Sequence, residues 1–538
     1  MAPIADKVAD DCPGAREIGF TVPARYNASA VLFDNLARRN GDRPALRGPA
    51  GTLTYDALCR SACRAGNALL SLGLARGDRV VMILDDTPLY PAFLFGAMRA
   101  GLVPVLVNTL TPPDLIQFYL ADAGARVIVV EADCAAQVTA AAVTGTKLEV
   151  AVVANGEAGL PHVGRVLAAA SWLPGFADRL DAADTHRDEM AFWMYSSGST
   201  GRPKGIVHLQ HDPAYTAESY AKNILKLAPD DICFSVPKIF FAYGFGNSLT
   251  FPFAAGASSV LSPGKPDPAK IFAAIRDFGA TVFFGLPTLY TALAKAPEAA
   301  AADCRSLRLC ISAAEILSGE VAGAWKALTG LDIVEGLGST EMLHIYLTNS
   351  EEERRQSAAG RRVPGYEIRL ADRDGREVAD GEEGIMSVRG HSSAPEYWNR
   401  PDKTAETMQG DWLYTGDRFV RDRDGFYFFR GRADDLVKVS GQWVYPLEVE
   451  LCLAEHKAVR EVAVLAIELP DRRTTLKAYV VAADPVADRA ALTAELQDHV
   501  KRTLLPYKYP RIVEFLAELP KTGTGKIDRQ ALVRRGDA

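Results

Sequence analysis

The chain has 538 residues, 48% of them apolar and 24% charged, with a formal net charge of −7. That length exceeds one ordinary core, so at least two domains are expected, and the balance is that of a globular rather than a disordered protein. The acidic charge and a pI near 5.8 speak against a nucleic-acid partner but leave room for small anions, which need only a local positive field.

No run reaches the ~18 apolar residues of a membrane span, and Met1 to Arg25 carries no apolar signal core. The eight cysteines (Cys12, Cys59, Cys63, Cys134, Cys233, Cys304, Cys310, Cys452) include no C-x-x-C pair. Cys59 and Cys63 share a helical face without a histidine nearby to complete a metal set. Reduced, packed thiols and a cytoplasmic setting are expected.

After a polar leader (1–26), a helix is predicted over 30–39 and a second over 55–74. The buried run 79–84 reads as a strand. A helix over 89–100, a strand over 103–107, a helix over 115–123 and a strand over 126–130 follow. This alternation is that of parallel sheets covered by helices, and it returns over 215–261 and 268–317. Beyond Gly360, short alternating segments joined by Asp-Gly turns predict a small antiparallel region. The charged link Ala433-Asp434-Asp435 marks a boundary. Past it come a helix (446–453), strands near 462–467 and 477–481, a helix (488–504) and a strand (512–515). The division expected is 27–432 and 433–538.

Between two apolar runs lies Tyr195-Ser196-Ser197-Gly198-Ser199-Thr200-Gly201-Arg202-Pro203-Lys204-Gly205. Glycines let backbone N–H groups converge on an anion, hydroxyls add donors, and Arg202 and Lys204 add charge. The loop is not of the G-x-x-x-x-G-K-[ST] type, since Pro203 and Gly205 stand where Gly and Ser or Thr are required, so a P-loop kinase or ATPase is disfavoured. Further motifs follow in order: Gly336-Leu337-Gly338-Ser339-Thr340-Glu341, Tyr414-Thr415-Gly416-Asp417, Gly431-Arg432 and Pro520-Lys521-Thr522-Gly523-Thr524-Gly525-Lys526. Each alone is weak, and the remaining histidines, His208 and His211 included, show no metal-ligand spacing.

Together, from about Asn27 to Arg535, these motifs resemble the adenylate-forming superfamily of acyl-CoA synthetases, adenylation domains and beetle luciferases. The runs 238–253, 336–349, 195–208 and 434–450 are similar to benzoate–CoA ligases and other aryl–CoA ligases. The resemblance implies an α/β fold. Its large N-terminal domain would hold two parallel-type sheets with helices and a small β-barrel, and its small C-terminal α+β domain would be mobile.

It also implies an ATP-dependent, AMP-forming ligase that joins benzoate or a hydroxy- or aminobenzoate to coenzyme A through an acyl-adenylate, releasing pyrophosphate, in aromatic-compound catabolism. The alternative is adenylation of a cyclohexene carboxylate or medium-chain acid, or transfer to a carrier protein. ATP, Mg²⁺ and coenzyme A are the implied cofactor set. A monomer or homodimer is expected, with no membrane or nucleic-acid partner.

The implied roles follow residue by residue. Ser196, Ser197, Gly198, Ser199, Thr200, Gly201 and Lys204 would hold the β- and γ-phosphates. Glu341, with the Thr200 hydroxyl, would bind Mg²⁺. Ala314, Glu315, Glu335, Gly336, Leu337, Gly338 and Thr340 would frame the adenine side of the nucleotide. Asp417 and Arg432 would take the ribose. Lys526 would join the carboxylate to the α-phosphate.

Phe241, Ala242, Tyr243, Gly244, Leu337 and His344 would line a slot for a planar ring, with no acid there to take an amino-acid ammonium. Asp434 would be the hinge, and Lys438, Ser440, Gly441 and Trp443 would line the pantetheine tunnel. Two departures stand out. Leu337 occupies the place of an adenine-stacking aromatic, and Ala314 replaces a glycine.

Overall fold

The protein is described by a computed structural model for residues 13–196, 203–313, 317–355, 357–435, 437–439, 442–469, 474–521 and 527–536. It divides into two compact units, Met1–Ile368 with Val388–Tyr414, and Arg369–Ser387 with Thr415–Ala538.

The first unit holds the two sheets anticipated from the alternating pattern. In one, seven strands run in the order Arg165–Ala168, Val150–Ala154, Val127–Glu131, Arg79–Ile83, Val103–Leu106, Met190–Ser196 and Lys204–Leu209. All neighbours are parallel except the last pair, which is an antiparallel hairpin. The other sheet has a parallel centre: Ser258–Val260, Ile232–Ser235, Val282–Gly285, Leu309–Ala313 and Ile333–Gly338. Ile345–Thr348 and Arg361–Arg362 extend it antiparallel on one side. The inner strands are continuous apolar runs, fully buried in Val127–Glu131 and Val150–Ala154. That is the pattern of strands covered on both faces.

The helices owe their limits to local chemistry. Thr54 accepts from the Ala57 N–H and starts Tyr55–Leu70. This helix stops at Leu70 rather than at Leu74, and Gly73 turns the chain at φ +74°. It packs on Leu89–Arg99 backbone to backbone: a Cβ on Gly66 would lie 2.7 Å from the Gly96 carbonyl oxygen. Asp267 and Ser318 cap Pro268–Phe278 and Gly319–Thr329 in the same way as Thr54. One core cluster joins the sheets, combining Val80, Met82 and Phe192 with Phe245, Phe253 and Leu261. The seven described cysteines are free and buried.

The leader is structured from Pro13 onward. A short helix Pro13–Glu17 lies against the first unit through Glu17, which pairs with Arg362 and accepts from the Gly365 N–H. Tyr26 donates its N–H to the Thr185 carbonyl. Residues 13–26 therefore belong to the body of this unit rather than standing apart from it.

The second unit opens with antiparallel strands that include Glu383–Arg389, Trp412–Arg421 and Tyr427–Arg432. Glu367–Ala371, Glu383–Arg389, Trp412–Arg421 and Met408–Gln409 neighbour one another in that order, and Tyr427–Arg432 pairs with Trp412–Arg421. Its remaining part follows the sequence reading closely: Pro446–Ala454, Val459–Glu468, Thr474–Ala482, Arg489–Thr503 and Ile512–Phe515. The three strands pair in that order, the last parallel. This unit is wider than residues 433–538, because it takes in the strands on either side of Gly416 and Arg432.

Candidate active site

The predicted site residues of the first unit gather at the carboxyl ends of parallel strands, where open α/β sheets bind ligands. Ser196 ends Met190–Ser196, Ala313 ends Leu309–Ala313 and Gly338 ends Ile333–Gly338. Ser196 pairs with Lys204 across the hairpin. Ser197, Gly198, Ser199, Thr200 and Gly201 lie outside the described residues, as do Ala314, Glu315, Ser440, Gly441 and Lys526.

Glu341 and Lys204 come from different sheets and meet through one side chain. The Tyr397 hydroxyl donates to Glu341 Oε1 at 2.8 Å, and Lys204 Nζ sits 4.3 Å from the centroid of the same ring. The turn carrying Glu341 is pinned by further bonds. The Ala394 N–H donates to the Glu341 carbonyl at 2.7 Å, and Ser392 Oγ to the Met342 carbonyl at 2.8 Å. His208 Nε2 donates to the Thr340 carbonyl at 2.8 Å, while Nδ1 faces Asp212 Oδ2 at 2.8 Å. His208 is fully buried and holds the backbone of this turn. Beside it, burial opposes the charge on His211, but Asp212 and Asp188 outweigh burial and push its pKa up to about 9.

Glu335, Gly336, Leu337 and Gly338 share one strand; Gly336 pairs with Ala313 on one side and with Thr348 on the other. Burial raises the Glu335 carboxyl to about 7, while the Leu317 N–H that it accepts works against the rise.

Tyr243 and His344 come together, ring centroids 5.5 Å apart. Tyr220 and Phe251, which sequence reasoning did not single out, add rings at 5.3 and 4.4 Å from the His344 ring. His344 is 3% exposed, and burial lowers its pKa to about 3, so the imidazole is neutral. Gly244 is required by space: a Cβ there would lie 2.0 Å from the Lys238 carbonyl oxygen. Ala242 is buried in the same turn. Phe241 stacks edge-on against Phe240 at 4.7 Å, and both pack on the core cluster that holds Ala242 and Leu343.

The second unit joins three further predicted residues. Asp417 and Arg432 are paired across adjacent strands, with Arg432 Nη1 3.3 Å from Asp417 Oδ1. The same guanidinium donates to both oxygens of Asp434, at 2.9 and 3.2 Å. Burial opposes the Asp434 charge, and Arg432 outweighs it, holding the carboxyl below its ordinary range. Lys438 and Trp443 face each other across the hairpin Val437–Val439 and Gln442–Val444. The Lys521–Ile527 bridge brackets the segment that carries Lys526.

Tyr397 is the functional candidate that sequence reasoning missed. It lies in Glu396-Tyr397-Trp398-Asn399-Arg400, which carries no glycine-rich or charged signature, and only its position against Ile206 and Glu341 exposes it.

Comparison with known proteins shows the family. The AMP-binding enzyme family matches residues 33–398, and the AMP-binding enzyme C-terminal domain matches residues 448–526. The benzoate–CoA ligase of Thauera aromatica is 42% identical over 511 residues, covering 94% of this chain and 96% of that protein. The crystal structure of an anthranilate–CoA ligase, AuaEII, in complex with anthranoyl-AMP superposes with a TM-score of 0.89 at 36% identity, covering 96% of this chain and 98% of that one. A benzoate–CoA ligase structure from Burkholderia xenovorans LB400 gives 0.86 at 37% identity, covering 94% and 100%. With its strand-end site, its Glu341–Tyr397–Lys204 cluster and these matches along nearly its whole length, the chain belongs to the AMP-binding enzyme family, in the group that contains the benzoate–CoA ligases.

Proposed function

We propose that the protein is an ATP-dependent, AMP-forming ligase that activates a benzoate-type acid as its acyl-adenylate and passes the acyl group to coenzyme A. The observation that carries this reading is the meeting of the Glu341 carboxylate and the Lys204 ammonium on the hydroxyl and ring of Tyr397, in the same unit as the aromatic cluster of Tyr243, His344 and Phe251. The rings of Tyr243, His344 and Phe251 pack against one another, an aromatic surrounding that fits a planar ring better than an amino acid's ammonium group.

Mg²⁺ fits the donor set. Glu341 offers a hard oxygen with Oε1 already engaged by Tyr397 and Oε2 free of that bond, and the described residues contain no cluster of three metal-binding side chains. One carboxylate plus substrate phosphates is the usual protein contribution to Mg²⁺. Glu341, with Thr200, would hold the ion, which when bound neutralises charge on the departing pyrophosphate.

The chain's own groups do the rest. Ser196 to Gly201 and Lys204 hold the β- and γ-phosphates. Glu335 to Gly338, with Ala314 and Glu315, frame the adenine. Asp417 and Arg432 take the ribose hydroxyls. Lys526 places a cation between the attacking carboxylate and the α-phosphate, where like charges otherwise repel. Asp434 is the hinge about which the C-terminal part turns, bringing Lys438 to Gly441 and Trp443 to the thiol's path. The mobile part starts at residue 433, inside the second unit. Among the described residues no helix is long and apolar enough to cross a membrane, and a cytoplasmic enzyme acting as a monomer or homodimer is the setting we infer.

The test is carboxylate-dependent AMP release with ATP and coenzyme A. Benzoate and its hydroxy and amino derivatives are expected to be turned over well above cyclohexene carboxylates and medium-chain acids. No turnover of any aryl acid, beside turnover of another acid, would contradict the aryl reading and leave the adenylating one.

A further inference from the structure

Tyr397 joins two groups of opposite charge that the proposed chemistry needs in fixed relation. Its side chain is 2% exposed. Its backbone bridges Ile206, two residues from Lys204, and its N–H donates to Thr404 Oγ1 at 3.0 Å. From that anchored position the hydroxyl donates to Glu341 Oε1 at 2.8 Å, and the ring face lies under Lys204 Nζ at 4.3 Å. A buried tyrosine could satisfy its hydroxyl with any nearby carbonyl. Here it uses a half-buried carboxylate at the strand ends, and a lysine occupies the face of the same ring.

We propose that Tyr397 is a positioning residue for phosphate and metal. It would fix the orientation of the Glu341 carboxylate so that Oε2 faces the phosphates, and hold the Lys204 ammonium near the same point by cation–π attraction. This rests on the reading of Glu341 as the Mg²⁺ ligand. The charge logic is consistent: the hydroxyl occupies one carboxylate oxygen without neutralising the group, and the ring attracts the lysine without pairing its charge, so both charges remain available to a ligand. An Asp or Glu in place of Tyr397 would bind Lys204 more strongly and repel the polyphosphate.

The two halves of the role separate by substitution. Tyr397→Phe keeps the ring under Lys204 and the core packing while removing the bond to Glu341; Tyr397→Leu removes both. Binding of a non-hydrolysable ATP analogue is measured by calorimetry across a Mg²⁺ titration and in EDTA, with the melting temperature as a control. Loss of an outer-shell partner typically weakens metal affinity about 10–100-fold. Tyr397→Phe is therefore expected to raise the half-saturating Mg²⁺ concentration by about that factor and to leave binding in EDTA unchanged. Tyr397→Leu is expected to weaken binding in EDTA as well, through Lys204.

Wild-type Mg²⁺ dependence in a folded Tyr397→Phe protein would overturn the inference while leaving the proposed function intact. A wild-type protein that binds the analogue with no Mg²⁺ dependence at all would overturn both.

Discussion

Asp86 shows at single-residue scale how a buried carboxyl holds the backbone next to the residues proposed to line the acyl pocket. It is 2% exposed and accepts the Ile239 N–H at 3.1 Å, at the entry to the Phe240–Gly244 turn. Burial raises it to about 7, against the pull of Lys238, which itself pairs with the neighbouring Asp85 at 2.7 Å. The sign follows from linkage. The folded state holds a proton that the unfolded chain releases near pH 4, so the charge costs stability progressively as pH rises from about 4 to 7, and fully above that. Asp86→Asn keeps an oxygen for Ile239 and cannot ionise. Its stability relative to wild type is expected to improve by at least about 1 kcal/mol across that window and then level off. Thermal melts from pH 4 to 8 measure this, and a constant difference across the range would contradict the assignment.

At the scale of elements, the helical turn Gly246–Thr250 packs against the His344 ring. A Cβ on Gly246 would stand 2.5 Å from the His344 ring, so Gly246→Ala must displace that ring or the turn. Overpacking of this kind costs about 1–3 kcal/mol. The expected outcome is a KM for benzoate raised about tenfold, by roughly the same free energy, with the KM for ATP unchanged. Equal changes in both constants, or neither, would contradict His344 as part of the acyl wall.

The same elements show what could be read without coordinates. The strand and helix alternation was legible because buried parallel strands are continuous apolar runs. His344 was legible only as one member of a slot. Tyr220, Phe251 and Gly246 were not, since their shared position depends on how a helical turn folds over the strand ends. Tyr397 was silent for the same reason, being an ordinary tyrosine whose meaning lies in two partners at positions 204 and 341.

At the scale of the whole molecule, the proposed function draws on residues of both units. Glu341, Lys204 and His344 belong to the first, while Asp417, Arg432, Asp434 and the segment bracketed by Lys521 and Ile527 belong to the second. Arg432 donates at once to Asp434 and to Asp417, so the proposed hinge acid and the proposed ribose acid share one guanidinium. A molecule built this way has two separable half-reactions, adenylation and thioester formation, and different residues should govern them.

Lys526→Ala tests that separation most directly. Single-turnover assays would follow acyl-adenylate formation from ATP and benzoate, and thioester formation from preformed benzoyl-adenylate and coenzyme A. Adenylation is expected to fall by about 10²–10³ or more, the loss typical of removing one electrostatic stabiliser of the transition state, with thioester formation from the preformed adenylate largely retained. An equal fall in both steps, or an unaffected first step, would contradict the two-step account built on this lysine.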